Sequence, residues 1–362
     1  MKIIIVGAGQ VGTSVAESLV SEENDITVVD PDPQRLSLLQ NRLDLRTIAG
    51  NGAWPSLLRE AGAADADMLI AVTQSDQTNL VACKVAKSVF NLPTTVARLR
   101  ASDFLDSEAL LSAENFAVDH ALCPEEVVTE HIRKLVEFPE ALQVLSFAGG
   151  RVALVAVRAY EGGLLVGKPI KEMRRHLSAD IDARIAAIYR RDRAVLPAGD
   201  SVIQDGDEVF VIAAEEHIRR VMREMRRMTV PVQRVMIAGG GNIGTRVART
   251  LSERYEVKLI ERDAVRCERI ANSLDSTLIL MGDGTDEDLL QQEAIDTMDL
   301  FLALTNNDED NIMAASLAKR LGCKRVVALI NRKVYADLVQ GGPIDIAISP
   351  AQVSIGSLLT RV

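Results

Sequence analysis

The chain has 362 residues, of which 48% are hydrophobic and 25% charged, and its net charge is −10. This length allows two to four domains with hydrophobic cores, and the acidic balance argues against a dedicated DNA-binding protein, because phosphate contacts need a basic surface. The four cysteines form no C-x-x-C pair, which disfavours zinc sites and disulfides and is typical of a reducing cytoplasm. Without a signal peptide or an apolar run of membrane-spanning length in the sequence, we expect a cytoplasmic protein, or one held on a membrane by a partner.

Strands alternate with helices over the first hundred residues. Short apolar runs predict buried parallel strands at 2–6, 26–29, 46–49, 68–72 and 95–98. Helices are predicted between them near 10–20, 33–42, 57–60 and 79–90. This alternation, with right-handed crossovers, predicts a doubly wound α/β domain of the Rossmann type.

The pattern changes near residue 125. An amphipathic helix is predicted over 125–136, with Val128, Ile132 and Leu135 along one face. We expect this stripe to be exposed on its own domain and to pack against a neighbouring subunit. Short alternating strands and glycine turns then predict a small α+β module, closed by a helix over 215–228.

The first domain returns, in altered form, 232 positions later. Three pairs of segments match at this offset: 7–13 with 239–245, 50–52 with 282–284, and 73–79 with 305–311. A repeat of this length implies duplicated domains rather than a solenoid. We therefore predict an α/β fold with domains at 1–138, 139–228 and 229–362, and expect that truncation has removed a second small module.

Both copies carry G-x-G-x-x-G between a strand and a helix, which is the context in which this motif binds dinucleotides. Its glycines allow a tight turn, close approach of a pyrophosphate and close helix–strand packing, and the helix N-terminus attracts phosphate. The predicted contacts are Gly7, Ala8, Gly9, Gln10, Val11 and Gly12 in the first copy, and Gly239, Gly240, Gly241, Asn242, Ile243 and Gly244 in the second.

An acidic residue ends the second strand of each copy. Asp30 stands 18 residues after Gly12, and Glu261 stands 17 after Gly244. Each carboxylate can accept hydrogen bonds from the hydroxyls of an adenosine ribose, which favours NAD over NADP. Arg262 follows Glu261 directly and could alter this preference in the second copy. A Rossmann fold that binds no nucleotide is the alternative for each copy.

Polar residues follow the fourth strand of each copy. Thr73, Gln74 and Thr305 are expected to reach the ligand, because strand carboxyl ends line the cleft of such sheets. Capping of the next helix by Ser75, Asp76 or Asp308 explains these residues equally well and is compatible with binding.

Arg98 falls within the fifth strand, where an arginine is unusual. It either reaches the pyrophosphate or pairs with an acid at a subunit contact. The second copy has Leu329 at the comparable place, with Asn331 and Arg332 just beyond, so we expect the two clefts to differ.

The other polar features favour structural roles. The turns at 50–52 and 282–284 read as tight connections, with cleft lining as a secondary role. The histidines show no metal-binding or catalytic spacing, and we predict neither a metal site nor a catalytic residue. The basic run at 219–227 is interpreted as a solvated helix face.

Taken together, these motifs resemble the TrkA family, the nucleotide-binding regulatory subunits of bacterial Trk potassium uptake systems. The resemblance covers the whole chain and includes 2–12, 66–73 and, in the small module, 165–170 and 197–207. It implies tandem units, each with a Rossmann-type RCK N domain and an RCK C domain.

The resemblance also implies regulation rather than catalysis. Such subunits form a gating ring, here expected to be a homo-tetramer, on the cytoplasmic face of a Trk-type potassium-translocating membrane subunit. The implied ligands are NAD or NADH, with ATP or ADP at the same sites, and no nucleic acid. Coupling to transport requires that the ligand bind the two states of the ring with different affinities.

Two other functions remain open. A dehydrogenase with a duplicated cofactor domain would need an acid/base pair beside the nicotinamide, and we identify none in the sequence. A purely structural ring without ligand is the second alternative, which nucleotide titration would separate from the functions that bind a nucleotide.

Overall fold

The computed structural model describes residues 1–20, 23–191, 193–225, 231–339 and 342–359. It divides into two compact units: Met1–Val127 together with Pro350–Val362, and Val128–Ser349. Among the described residues, no helix is both long and apolar enough to cross a lipid bilayer.

The first unit is built on a parallel sheet with strand order β3-β2-β1-β4-β5-β6. Its strands are β1 (Lys2–Val6), β2 (Asp25–Asp30), β3 (Arg46–Ala49), β4 (Met68–Ala71), β5 (Thr94–Arg98) and β6 (His120–Leu122). Its helices are α1 (Gln10–Leu19), α2 (Pro33–Gln40), α3 (Pro55–Glu60), α4 (Asp76–Phe90), α5 (Ser102–Leu105) and α6 (Glu108–Leu111). Ile4 packs on one face of the sheet, and Ile3 and Ile5 pack on the other, because successive side chains of a strand point to opposite faces.

The second unit contains a parallel sheet with the matching order β14-β13-β12-β15-β16-β17. Its strands are β12 (Arg234–Ala238), β13 (Glu256–Glu261), β14 (Thr277–Met281), β15 (Leu300–Ala303), β16 (Val326–Leu329) and β17 (Ile346–Ile348). The helices are α10 (Asn242–Leu251), α11 (Ala264–Ala271), α12 (Glu287–Gln292), α13 (Asp308–Arg320) and α14 (Lys333–Val339). The corresponding strand order shows that the internal repeat is a repeat of the fold.

A smaller antiparallel sheet, ordered β10-β9-β11-β8-β7, belongs to the same unit. Its strands are β7 (Ala141–Phe147), β8 (Val152–Arg158), β9 (Ala183–Arg190), β10 (Arg193–Val195) and β11 (Glu208–Ala214), and its helices are α8 (Met173–His176) and α9 (Ile218–Met222). The predicted fold class, two Rossmann-type sheets with a small α+β module between them in sequence, is confirmed.

The helix expected to close this module over 215–228 is shorter than the sequence suggested. A 3-10 turn over Glu215–His217 leads into α9, which ends at Met222. Met225 is fully buried in the core of the module. Residues 226–230 lie outside the described part of the chain, so the end of the basic run is not seen.

Two further helices follow the last strands of the Rossmann sheets, α7 (Pro124–Glu137) and α15 (Pro350–Leu359). Helix α15 packs on α1 within the first unit, with Ile355 in the apolar core. From Val128 onward α7 belongs to the second unit. The exposed fractions of Val128, Ile132 and Leu135 are 0%, 1% and 2%. The expectation of an exposed stripe is therefore wrong, because the chain itself buries this face.

Polar contacts fix the end of α7 within the second unit. Lys134 Nζ lies 3.1 Å from both carboxylate oxygens of Glu215 and also donates to Ser146. From the edge of β16, the Arg325 guanidinium donates to the carbonyl oxygen of Ala141 at 2.8 Å and to that of Leu135 at 3.3 Å. The helix end is thereby tied to both the small sheet and the second Rossmann sheet.

Candidate functional site

The glycine turns after β1 and β12 adopt the geometry that the motif predicts. Gly7 has a φ of +110°, and its N–H donates to the carbonyl of Val29 at 2.8 Å. A Cβ on Gly7 would lie 3.1 Å from the Thr73 backbone nitrogen, and one on Gly12 would lie 1.8 Å from the Gly7 oxygen. Both positions thus require glycine for the turn and for close packing of α1 on β1.

The second copy repeats this arrangement. Gly239 has a φ of +108°, and a Cβ on Gly244 would lie 1.8 Å from the Gly239 oxygen. Gly240 takes the place of Ala8, and a Cβ on Gly240 would lie 2.5 Å from Ile270 Cδ1. The first helical residues after the turns are Gln10 and Val11 in α1 and Asn242 and Ile243 in α10.

The middle glycines differ from the others. A Cβ built on Gly9 or Gly241 meets no atom within 4 Å. Each is the N-cap of its helix with an extended backbone, and no side chain caps it. The packing of the chain therefore does not require glycine here, and the space beside each helix N-terminus suits an anion held by free N–H groups.

The acids at the ends of β2 and β13 are buried beneath these turns. Asp30 accepts hydrogen bonds from the Ala8 N–H at 2.6 Å and from the Asp32 N–H at 2.8 Å. Glu261 accepts equivalent bonds from the Gly240 N–H at 2.8 Å and, through its other oxygen, from Asp263 at 2.9 Å. Each acid thus holds the glycine turn, in addition to the ribose contact that the motif spacing predicts for it.

Glu261 has one additional contact. Arg266 Nη1 lies 3.2 Å from its Oε2 atom. Burial raises the pKa of Glu261, but the N–H groups of Asp263 and Gly240 and the Arg266 guanidinium outweigh that effect, so its pKa is lowered overall. The carboxylate is ionised at neutral pH.

Thr73 and Thr305 are held by buried asparagines. Asn79 Oδ1 accepts from the Thr73 N–H at 2.9 Å and from its hydroxyl at 2.7 Å. The Asn79 amide group donates to the carbonyl of Arg98 at 2.8 Å, which joins the ends of β4 and β5. Asn311 makes the same bonds to Thr305 and to Leu329. Asn79 and Asn311 occupy matching positions of the internal repeat. This match is the sequence signal from which a shared role could have been predicted.

Capping is carried out by Ser75 and its counterpart Asn307, each of which accepts a hydrogen bond from an N–H in the first turn of its helix. Asp76 instead accepts from the N–H groups of Arg100 and Ala101, both at 2.9 Å. Asp308 binds the matching N–H groups of Asn331 and Arg332. The carbonyl of Gln74 accepts from the Arg100 guanidinium.

Arg98 is the last residue of β5, at the same edge as the glycine turn. Its Nη2 lies 3.9 Å from Glu125 Oε1, and its side chain is 17% exposed. Burial lowers the pKa of Arg98, partly offset by Glu125. Among the described residues, its buried Nε has no hydrogen-bond partner. Arg98 thus pairs with an acid of its own chain, and its contact with a pyrophosphate stays a prediction.

The turns after β3 and β14 are shaped by packing. A Cβ on Gly50 would meet Leu57 at 2.0 Å, and one on Gly52 would meet Val6 at 2.3 Å. The corresponding turn of the second copy also lines a cleft at the carboxyl edge of its sheet. That cleft is lined by Ala238, Gly239, Gly241, Ile260, Glu261, Arg262, Arg266, Gly282, Asp283, Gly284, Thr285, Leu304, Thr305, Asn306, Asn307, Asp310 and Ala314.

The remaining candidates lie elsewhere or have structural partners. Arg219, in the basic run, donates to the carbonyl of Glu137 at 2.7 Å and stacks over Phe138. His131 is buried on α7, and His176 Nδ1 lies 2.7 Å from Glu224. Within the described residues, no group of three or more His, Cys, Asp or Glu side chains could hold a metal ion.

Comparison with known families matches this architecture domain by domain. The model of the TrkA-N domain matches residues 3–124 and 235–350, which contain the two Rossmann sheets. The model of the TrkA-C domain matches residues 154–226, within the small module. The chain belongs to the TrkA family.

Relatives of the chain carry the same family name. It is 55% identical over 362 residues to the Trk system potassium uptake protein TrkA of Halomonas elongata, covering 100% of this chain and 79% of the relative. It is 52% identical over 363 residues to the protein of that name from Vibrio alginolyticus, with the same coverage.

Solved structures share the fold at low identity. The GsuK RCK domain superposes with a TM-score of 0.70 at 17% identity, covering 99% of this chain and 76% of that one. The GsuK channel bound to NAD gives a TM-score of 0.72 at 18% identity, with coverages of 99% and 63%. GsuK bound to ADP gives 0.60 at 16% identity, with coverages of 99% and 68%. The RCK architecture of this TrkA-family chain is thus shared with channel proteins.

Proposed function

We propose that this TrkA-family chain is a nucleotide-sensing regulatory subunit of a Trk-type potassium transporter. The observation that carries the proposal is the pair of glycine turns, each with open space at its middle glycine and a buried, hydrogen-bonded acid beneath it. A pyrophosphate at the helix N-terminus and a ribose at the acid would fill this space. The relatives named for potassium uptake support the transport role.

NAD or NADH is the proposed ligand, with ATP or ADP as alternatives at the same clefts. The structures of GsuK with NAD and with ADP support this choice through the shared fold. In the first cleft Gly7 to Gly12, Asp30, Thr73, Gln74 and Arg98 would surround the ligand, and in the second Gly239 to Gly244, Glu261 and Thr305. Thr73 and Thr305 would contribute through strand ends that Asn79 and Asn311 hold in place.

The proposed assembly is a homo-oligomeric ring, a tetramer, docked on the cytoplasmic face of the membrane subunit. Nucleotides would act by binding two shapes of the ring with different affinities. Regulation of this kind needs no chemical turnover, so the nucleotide should leave the protein unchanged.

Equilibrium binding of NADH, NAD, ATP and ADP tests the proposal. Gly9→Val should abolish binding to the first cleft and Gly241→Val binding to the second, because each valine fills space that the phosphate needs. Both variants should fold, since a Cβ at either position meets no neighbour within 4 Å. Ala113→Val, at an exposed position in the first unit, is the matched control. Undiminished binding in the double glycine variant would refute the assigned sites.

A further inference from the structure

The two clefts differ in the residues that surround the acid. In the first, Asp30 is followed by Pro31. The cation one helical turn further on, Arg35, is paired with Asp32, with its Nε 3.3 Å from Asp32 Oδ2. Within the described parts of the chain, the Asp30 carboxylate accepts from the N–H groups of Ala8 and Asp32, and no cationic side chain pairs with it.

The second cleft places cations at the equivalent positions. The strand registers align Asp30 with Glu261, because each ends the strand that pairs with the central strand of its sheet. Arg262 therefore stands where the first cleft has proline, and Arg266 corresponds to Arg35. Here the arginine of the helix turns to the strand acid rather than to the N-cap, with its Nη1 3.2 Å from Glu261 Oε2.

Arg266 changes what Glu261 offers to a ligand. Its Oε2 already accepts from the Gly240 N–H and from Arg266, and its Oε1 accepts from the Asp263 N–H. The guanidinium compensates the negative charge that would repel a phosphate at this position. It also occupies acceptor capacity that a ribose hydroxyl would use.

Arg262 adds a second, more exposed cation at the mouth of the cleft. Its side chain is 74% exposed, and its Nη1 lies 4.0 Å from Asp310 Oδ2 across the cleft. Asp283 faces the same space and is held by the N–H and hydroxyl of Thr285 at 2.9 and 2.7 Å. The first cleft has uncharged Thr78 and Asn51 at these two places. Asp310 and Asp283 thus surround Arg262 with negative charge in this structure.

In Rossmann folds, the end of the second strand is where the adenosine 2′ position lies, and a nearby arginine accommodates a 2′-phosphate. From these contacts we infer that the second cleft, unlike the first, accepts adenine nucleotides that carry a 2′-phosphate, the NADP(H) class. On binding, the Arg262 side chain moves from Asp310 to the 2′-phosphate, and Arg266 reduces the repulsion between Glu261 and this phosphate. The inference rests on the proposed nucleotide-binding function, and it gives the second cleft a broader range of nucleotides than the first.

The test uses the full chain with one cleft blocked at a time. In a Gly9→Val background, where only the second cleft is open, NADPH should bind with an affinity within about tenfold of that of NADH. The Arg262→Ala/Arg266→Ala pair should then weaken NADPH about tenfold or more, because charge-assisted bonds to the phosphate are lost. The NADH affinity should change much less, which also shows that the variant is folded.

Two further variants sharpen the result. Asp310→Asn should strengthen NADPH binding to the second cleft, because it removes a competing carboxylate and frees Arg262. In a Gly241→Val background, where only the first cleft is open, NADPH should bind more weakly than NADH by about a hundredfold or more, and Arg35→Ala should leave this ratio unchanged.

The outcomes separate this inference from the function it rests on. If the Gly9→Val chain binds NADH but excludes NADPH, or if the arginine variants weaken both nucleotides equally, the inference is overturned and the proposed function stands. If neither nucleotide binds either cleft, both are overturned.

Discussion

Asp30 connects the internal structure of the first cleft to its proposed ligand. One carboxylate oxygen fixes the turn through the Ala8 N–H, and the other holds the Asp32 N–H. Each oxygen accepts one of these bonds, so the carboxylate keeps acceptor capacity that a ribose hydroxyl could use. In the proposed complex, a single side chain would make the geometry of the turn and the recognition of the sugar depend on each other.

Replacing Asp30 with alanine is expected to weaken NADH binding to the first cleft by about tenfold or more, through lost hydrogen bonds to the ribose and a looser turn. A 2′-phosphorylated analogue should lose less, since the same change removes a repulsive charge. Titration calorimetry in the Gly241→Val background measures both. Asp67→Ala is the control, because Asp67 accepts the Lys2 N–H at 2.7 Å at the opposite end of β1. Equal losses for the two nucleotides would contradict the ribose assignment.

At the level of elements, the buried asparagines join neighbouring strand ends in both Rossmann sheets. Asn79 and Asn311 are 0% exposed, and each bonds the threonine that follows one strand and the last carbonyl of the next. Asn79→Ala should destabilise the first unit by about 2 kcal/mol, because buried partners are left unsatisfied. Asn311→Ala should do the same to the second.

Chemical denaturation of the variants measures this effect. Asn115→Ala is the control, since its amide bonds the Ala109 carbonyl in an exposed turn, and its loss should cost less than about 0.5 kcal/mol. If Asn79→Ala lowers the free energy of unfolding no more than the control does, the hydrogen bonds of Asn79 between the strand ends do not stabilise the sheet.

His131 on α7 gives the second unit a predicted pH dependence. Burial lowers the pKa of this imidazole from 6.5 to about 4. The unfolded chain therefore takes up the proton first, so the contribution of a neutral His131 is present above pH 6.5 and is lost as the pH falls towards 4. Thermal unfolding from pH 7 to pH 4 should show a smaller loss for His131→Gln than for the wild type. His217→Gln, at a half-buried position, controls for loss of an imidazole, and parallel curves for the wild type and His131→Gln would refute the assignment.

The longer elements could be predicted from the sequence because apolar runs such as Ile3 to Val6 are buried on both faces and leave a clear pattern. The short β6 and β10 strands and the helices α5 and α6 carry too few residues to show a period. The glycines and acids of the clefts followed from motif spacing. Their bonding partners, such as Arg266 on Glu261, depend on which of several nearby acids a long side chain reaches, and no sequence pattern specifies that choice.

At the scale of the whole molecule, the burial of Ile132 bears on which surfaces could form an interface between subunits. The stripe on α7 is covered by its own chain, so it supplies no free surface for another subunit. Ile132→Asp should therefore unfold or severely destabilise the second unit, because it buries an unpaired charge. Circular dichroism and thermal unfolding check this expectation. A variant with wild-type stability would contradict the observed packing.

The oligomer itself is still expected from the proposed ring. Light scattering at micromolar concentration should give at least a dimer and, in the proposed assembly, a tetramer. A monomer at all nucleotide conditions would contradict the ring, because a single chain offers no symmetric interface whose geometry a ligand can change.

The most direct test of the account measures potassium flux. The chain would be reconstituted with the Trk-type membrane subunit of its own organism in proteoliposomes, and uptake followed with NADH, NAD, ATP or ADP present, with nucleotide recovered afterwards for analysis. The proposed regulatory function predicts that at least one nucleotide changes the flux severalfold, that the response is lost in the Gly9→Val/Gly241→Val chain, and that the nucleotide is recovered unchanged. A potassium flux that no nucleotide changes, or consumption of NADH in step with formation of a reduced product, would contradict the proposed regulatory function.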